Sequence, residues 1–135
     1  MTLSATETRR TYSIGELAEI TNLSVHTLRW YETQGLFPRP VPRTSGGRRS
    51  YDQETIGWLS LLTRLRESGM PVAEMAKYAE LVRAGAGNEH ERIALMEAHA
   101  QALDAQIREL IACRGVIDHK IDLYRTALRE RGVDV

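Results

Sequence analysis

His26, Arg29, Trp30 and Tyr31 crowd into six residues of the stretch SVHTLRWYETQGLFPR, residues 24–39. Their side chains are donors suited to anionic oxygens and base edges. Arg29 can clamp a phosphate or a guanine. The Trp30 indole N–H and the Tyr31 phenol can donate to a phosphate while their rings pack. More cations follow. From Arg29 to Arg49 there are five arginines (Arg29, Arg39, Arg43, Arg48, Arg49) against one acid, Glu32. From Asn88 onward the balance reverses, with seven Lys/Arg against nine Asp/Glu. The formal net charge of zero therefore hides a basic patch in the first half, the electrostatic footprint of a nucleic-acid partner.

Other chemistries are missing. No nucleophile–base set, metal motif or phosphate loop is present, which argues against an enzyme and against a bound cofactor or metal. His90, His99 and His119 form no i, i+4 metal pair. The single cysteine, Cys113, excludes an internal disulfide and a multi-thiolate metal site within one chain, and fits a reducing compartment. The first ten residues, MTLSATETRR, hold no apolar run of signal-peptide type. No stretch approaches the roughly 20 apolar residues of a membrane span. The expectation is a cytoplasmic protein.

These donors need elements to hold them. Residues 1–10 read as a flexible arm. Ser13 with Glu16 is a capping box, followed by the apolar stripe Ile14, Leu17, Ala18 and Ile20. Ser24 caps a second helix in which Val25, Leu28 and Tyr31 share a face, and Gly35 suits a left-handed residue just past its end. Two short helices around a tight turn predict a helix-turn-helix. His26, Arg29 and Thr33 then point away from the core, and His26 and Thr27 occupy the first turn, the part that meets base edges. The helix N-termini at Ser13 and Ser24 offer backbone N–H groups to phosphates. Residues 38–51, PRPVPRTSGGRRSY, cannot be helical. Ser45-Gly46-Gly47 signals a hairpin turn, with Val41 and Tyr51 flanking a short ribbon whose Arg43, Arg48 and Arg49 would border the groove. Asp52 caps a helix carrying Ile56, Leu59, Leu62 and Leu65 that ends near Gly69. Pro71 suits the first turn of another, with Val72, Met75, Ala79 and Val82. AGAG, 84–87, reads as a flexible joint.

The last segment, 89–131 with a tail at 132–135, differs in kind. Asn88 and Glu91 suit a cap pair, and no proline intervenes before Arg131. Ile93, Met96, Ala100, Leu103, Ile107, Leu110, Arg114, Ile117, Ile121, Tyr124 and Leu128 alternate spacings of three and four. This is a heptad seam over about 60 Å of helix, and its cheapest partner is a second copy of the chain. Arg114 is the polar member. It either selects register or snorkels outward.

The run YSIGELAEITNLSVHTLRWYETQGLF, with GGRRSYDQETIGWLSLLTRLRESGMPVAEM after it, resembles the MerR family of bacterial transcription regulators over residues 11–83. The carrying motifs are Leu28-Arg29-Trp30-Tyr31-Glu32, Gly35-Leu36 and the wing ending Arg49-Ser50-Tyr51. The long helix matches in kind. The resemblance implies a mainly α fold: a winged helix-turn-helix domain (11–83), a linker (84–88) and an antiparallel coiled-coil dimerisation helix (89–131). It implies a homodimer on a pseudo-palindrome within an over-long promoter spacer. The activated form would bend and untwist that double-stranded DNA, acting on RNA polymerase indirectly. Carried over residue by residue, Arg29, Trp30 and Tyr31 contact backbone, His26 lies in the major groove, and Arg49 grips phosphate from the wing. Many relatives have Tyr or Phe where this chain has Trp30.

Metal-sensing relatives place paired cysteines after the coil, where this chain reads YRTALRERGVDV. The Cys of some redox- or aldehyde-responsive relatives aligns with Arg64. A small effector is compatible with the sequence. Cys113 is either a small filler or a redox or electrophile sensor. In an antiparallel pair centred near residue 106 it would approach His99 of the partner subunit, whose imidazolium would lower its pKa. The rival to DNA binding is a helix-turn-helix that binds protein instead, which leaves the wing arginines unexplained.

Overall fold

The structure is a computed structural model that describes residues 10–134. All of the expected arm except Arg10 lies outside the described residues. Seven elements follow in order: β1 (Thr11–Tyr12), α1 (Ile14–Thr21), α2 (Val25–Thr33), β2 (Tyr51–Asp52), α3 (Gln53–Glu67), α4 (Val72–Arg83) and α5 (Glu89–Glu130). The chain forms two compact units, one through Leu95 and one from Met96. The first turns of the long helix thus belong with the N-terminal unit.

Local chemistry sets the helix starts. Ser13 Oγ accepts from the Glu16 N–H at 3.2 Å while the Ser13 N–H donates to Glu16 Oε1 at 2.9 Å, a closed capping box. The bond from the Ser13 backbone, foremost, holds the Glu16 carboxyl below its ordinary value. Ser24 Oγ accepts from the Thr27 N–H, and Asp52 Oδ1 from the Thr55 N–H. Pro71 sits at the N-cap of α4 rather than inside its first turn, and no side chain caps that helix.

The core of this unit is one apolar cluster. Leu17 from α1, Leu28 and Tyr31 from α2, Leu59 and Leu62 from α3, and Met75 and Ala79 from α4 are all nearly fully buried, together with Leu36 from the loop after α2. Sealing these apolar faces from water is the main drive for docking the short helices. Ile20 departs from its expected stripe: it is exposed, at the last turn of α1.

The wing differs from expectation. Tyr51 does not pair across the Gly-Gly turn. It pairs with Tyr12, in the antiparallel β1–β2 ribbon with Thr11 opposite Asp52. The hairpin closes lower down, at a single bridge between Arg43 and Arg49. The physical reason lies in Pro38, Pro40 and Pro42, which have no N–H to donate to a ladder. Only the Pro42 carbonyl takes part, accepting from the Ser50 N–H. At the tip, the Gly47 N–H reaches the Thr44 carbonyl with Gly47 at φ +81°.

The joint at 84–87, expected to be flexible, is bridged by side-chain hydrogen bonds. Gly85 and Gly87 adopt φ of +90° and +106°, conformations open to glycine, and side chains tie the segment down. Asn88 spends its amide on the Leu81 carbonyl and on Arg92 rather than forming the expected pair with Glu91. In the second unit α5 runs unbroken. It ends at Gly132, whose φ of +76° lets the Val133 N–H reach the Leu128 carbonyl, the bond pattern of a left-handed cap.

Leu28→Ala should cost about 2–5 kcal/mol, because it opens a cavity beneath α2. Urea denaturation at fixed protein concentration checks this: a loss of that size is expected, with α2 the first element to lose amide-exchange protection.

Candidate nucleic-acid interface

Helix α2 has two sides of opposite character. Leu28 and Tyr31 are buried and Val25 is half-buried, while His26, Arg29 and Thr33 are exposed. The edge is pinned after the last turn. Gly35, at φ +72°, lets the Leu36 N–H bond back to the Tyr31 carbonyl, and the Leu36 side chain enters the core. The Trp58 indole N–H donates to the Leu36 carbonyl at 2.7 Å, with its ring stacked on Tyr78.

The sequence-derived donors divide into those presented and those used internally. Arg29 and Arg48 are exposed, and their guanidinium groups make no hydrogen bond or ion pair among the described residues. Arg43 is exposed at the wing and donates to the Gly47 carbonyl. Arg49 is partly committed. Its Nε donates to Glu32 Oε1 at 2.7 Å, with both side chains less than a third exposed. That pair fastens the wing to α2. Tyr51 lies in the same neighbourhood, 2% exposed, its hydroxyl without a hydrogen-bond partner among the described residues. Burial pushes the Tyr51 phenol up and Glu32 adds to that, while Arg49, Arg29 and Arg43 oppose it.

Tyr31 takes the buried face that its spacing from Leu28 predicts, not the phosphate-facing place expected of its phenol. It is 1% exposed, so its phenol is not offered to solvent, and it meets Arg66 Nη1 at 3.4 Å instead. The reason is helical spacing: Tyr31 lies three residues after Leu28 and shares its buried face. Trp30 is half-buried and packs at 5.7 Å from the Tyr31 ring. Its indole N–H has no acceptor among the described residues. Ser13 and Ser24 serve as caps, and Thr27 is half-buried against Ser24.

Arg66 escapes the sequence reading. It lies on α3, exposed, with its guanidinium carbon 5.3 Å from the Trp30 ring centroid and 5.9 Å from that of Tyr31. This is cation–π geometry, and it brings a further positive charge to the edge of α2. In sequence, Arg66 looks like one more polar residue of an amphipathic helix. Only its packing across from α2 singles it out.

The chain matches the family described as MerR HTH family regulatory protein over residues 12–81, and the MerR DNA-binding family over 56–120. It belongs to the MerR family. A relative from Haemophilus influenzae, an uncharacterised HTH-type transcriptional regulator, is 32% identical over 117 residues, covering 87% of this chain and 86% of its own length. The Bacillus subtilis regulator YyaN is 30% identical over 131 residues, covering 88% and 94%. Among solved structures, HiNmlR, a MerR-family regulator lacking the sensor domain and bound to promoter DNA, superposes with a TM-score of 0.78 at 31% identity, covering 92% of this chain and 97% of that one. A MerR-family regulator from Listeria monocytogenes gives 0.84 at 27% identity, covering 90% and 91%. The chain is accordingly a DNA-binding transcriptional regulator with the helix-turn-helix fold of its family.

In the second unit, four seam residues are uncovered in the single chain: Ile107, Leu110, Ile117 and Tyr124 are between 46% and 68% exposed. Arg114 bonds Asp118 one turn on, at 3.2 Å. Cys113 is exposed on the same helix. The described residues hold no cluster of three metal-ligating side chains.

Glu32→Gln removes the charge that holds Arg49. Because the pair is near the surface, the stability loss should be at most about 1 kcal/mol. Hydrogen exchange at Arg49 and Ser50 should rise well beyond what that loss explains, and unchanged exchange there would show that the pair does not fasten the wing.

Proposed function

We propose that this MerR-family chain acts as a homodimer in the cytoplasm on a pseudo-palindromic promoter site, each protomer laying α2 in a major groove. The observation that carries the reading is the two-sided helix. Leu28 and Tyr31 anchor one edge, and His26 and Arg29 stand exposed on the other. His26, with Thr27, lies in the first turn and reads base edges. Arg29 takes a phosphate or a guanine. Arg43 and Arg48 from the wing and Arg66 from α3 neutralise backbone on either side. Trp30 offers its indole N–H to a phosphate while its face stays under Arg66. Arg49 holds the wing in place through Glu32 and turns its remaining N–H groups to backbone. The N-termini at Ser13 and Ser24 lend backbone N–H groups.

Dimerisation falls to α5. A heptad seam of Ile, Leu and Met that lies open to water along a 42-residue helix favours association, because its burial is worth roughly 25 cal/mol per Å² of apolar area. Ile93, Met96, Ala100, Leu103, Ile107, Leu110, Ile117, Ile121 and Tyr124 form this interface, with Arg114 as its polar register mark. An antiparallel pairing suits a palindrome whose half-sites face opposite ways. The dimer acts on RNA polymerase indirectly, through distortion of the promoter spacer.

Selection from a random duplex pool tests the division of roles. The wild type should enrich a palindrome. His26→Ala should shift the preferred bases in each half-site. Arg48→Ala should weaken matched and scrambled duplexes alike, by about tenfold or less. Equal losses on both duplexes for both variants, with no change of preferred sequence, would refute the assignment.

A further inference from the structure

Two arginines outside the DNA-facing set spend their guanidinium groups on main-chain carbonyls. Arg83, the last residue of α4, donates from Nη1 to the Phe37 carbonyl at 2.6 Å and to the Gly35 carbonyl at 3.4 Å. Those carbonyls belong to the loop that closes α2. Arg92, one turn into α5, donates from Nη2 to the Gly85 carbonyl at 2.5 Å and to the Leu81 carbonyl at 3.3 Å. Its Nε bonds Asn88 Oδ1 at 2.7 Å, and Asn88 Nδ2 bonds the same Leu81 carbonyl at 2.8 Å. Leu81 and Gly85 flank Arg83. A continuous path therefore runs from the end of α2, through the end of α4, to the start of α5, all inside the N-terminal unit.

The residues between α4 and α5 make this path consequential. Gly85 and Gly87 sit at positive φ with open space where a Cβ would stand. An Ala-Gly-Ala-Gly segment is intrinsically a swivel. What stops it swivelling is a planar fork bonded to several carbonyls, which a lysine ammonium does not reproduce. Charge-assisted bonds of this kind are the stronger ones, and cations at a helix C-terminus also meet the favourable end of its dipole.

We infer that Arg83 and Arg92 are positioning residues: their carbonyl relay locks the first turn of α5 to the recognition helix and thereby fixes the half-site spacing that the dimer accepts. The inference rests on the homodimer proposed above. One base pair added between half-sites moves them apart by about 3.4 Å and turns one by about 35°. A locked joint resists that change, and a released one follows it.

The test uses the full-length protein and the palindrome that the wild type selects. Duplexes with one or two central base pairs added or removed, and a duplex with a single half-site, are titrated alongside it. The wild type should lose about tenfold in affinity per base pair of mis-spacing. Arg92→Ala and Arg83→Ala should lose less than about threefold per base pair, with single half-site affinity within about twofold of wild type. Arg92→Lys keeps the charge and should flatten the spacing dependence as well, so the test survives if Arg92→Ala fails to fold. Variants as steep as wild type, or weakened equally on every duplex including the half-site, would overturn the relay. Sedimentation of the wild type separates the two proposals: spacing-indifferent dimers would overturn the relay alone, and spacing-indifferent monomers would overturn the homodimer with it.

Discussion

Everything in the N-terminal unit depends on burying one edge of a nine-residue helix. A segment as short as α2 does not persist alone in water. It holds its form because Leu28 and Tyr31 are buried in the core of the unit, and because Leu36 is drawn into the same core one residue past the left-handed Gly35. With that edge fixed, the exposed side has no freedom to choose its contents. His26 and Arg29 face outward because the helical period puts them there. The same constraint removes Tyr31 from the surface and leaves Trp30 between the two environments, ring packed and N–H open.

The cations divide along the same line. Arg29 and Arg48 are exposed and uncommitted to protein acceptors among the described residues, and Arg66 lies over two aromatic rings. Arg49, Arg83 and Arg92 are instead ties that hold a wing, a loop and a joint. Arginine serves both uses because its fork is always charged and can bond two acceptors at once. Among the five arginines from Arg29 to Arg49, Arg49 is tied to Glu32 and Arg39 is paired with Glu54, so a tally of positive charge there overstates what is offered to phosphate.

What is legible in the sequence is what short-range chemistry writes. Ser13, Ser24 and Asp52 announce the helix starts they cap, since a cap and its N–H partner lie within three residues. The seam from Ile93 to Leu128 is legible because its period repeats many times along α5, and the motif from Leu28 to Leu36 carries the family. Long-range chemistry is not written this way. The β1–β2 ribbon joins residues some forty positions apart and is two residues long, too short for a period to show. Arg66 over Trp30 and Arg83 on Phe37 are tertiary contacts between ordinary-looking polar positions. The Ala-Gly-Ala-Gly joint reads as loose because the groups that fasten it, Asn88 and Arg92, come later in the chain and bond carbonyls, which carry no sequence signal.

The central claim is that an anchored α2 presents its cationic side, with the wing and Arg66, to DNA phosphates. Its most direct measurement is the salt dependence of binding to a mixed-sequence duplex. Each phosphate neutralised releases condensed counterions, so the logarithm of the binding constant should fall linearly with the logarithm of salt concentration. A slope steeper than about −4 is predicted for a dimer with several such arginines per protomer. Binding indifferent to salt, or no binding at low salt, would contradict the account.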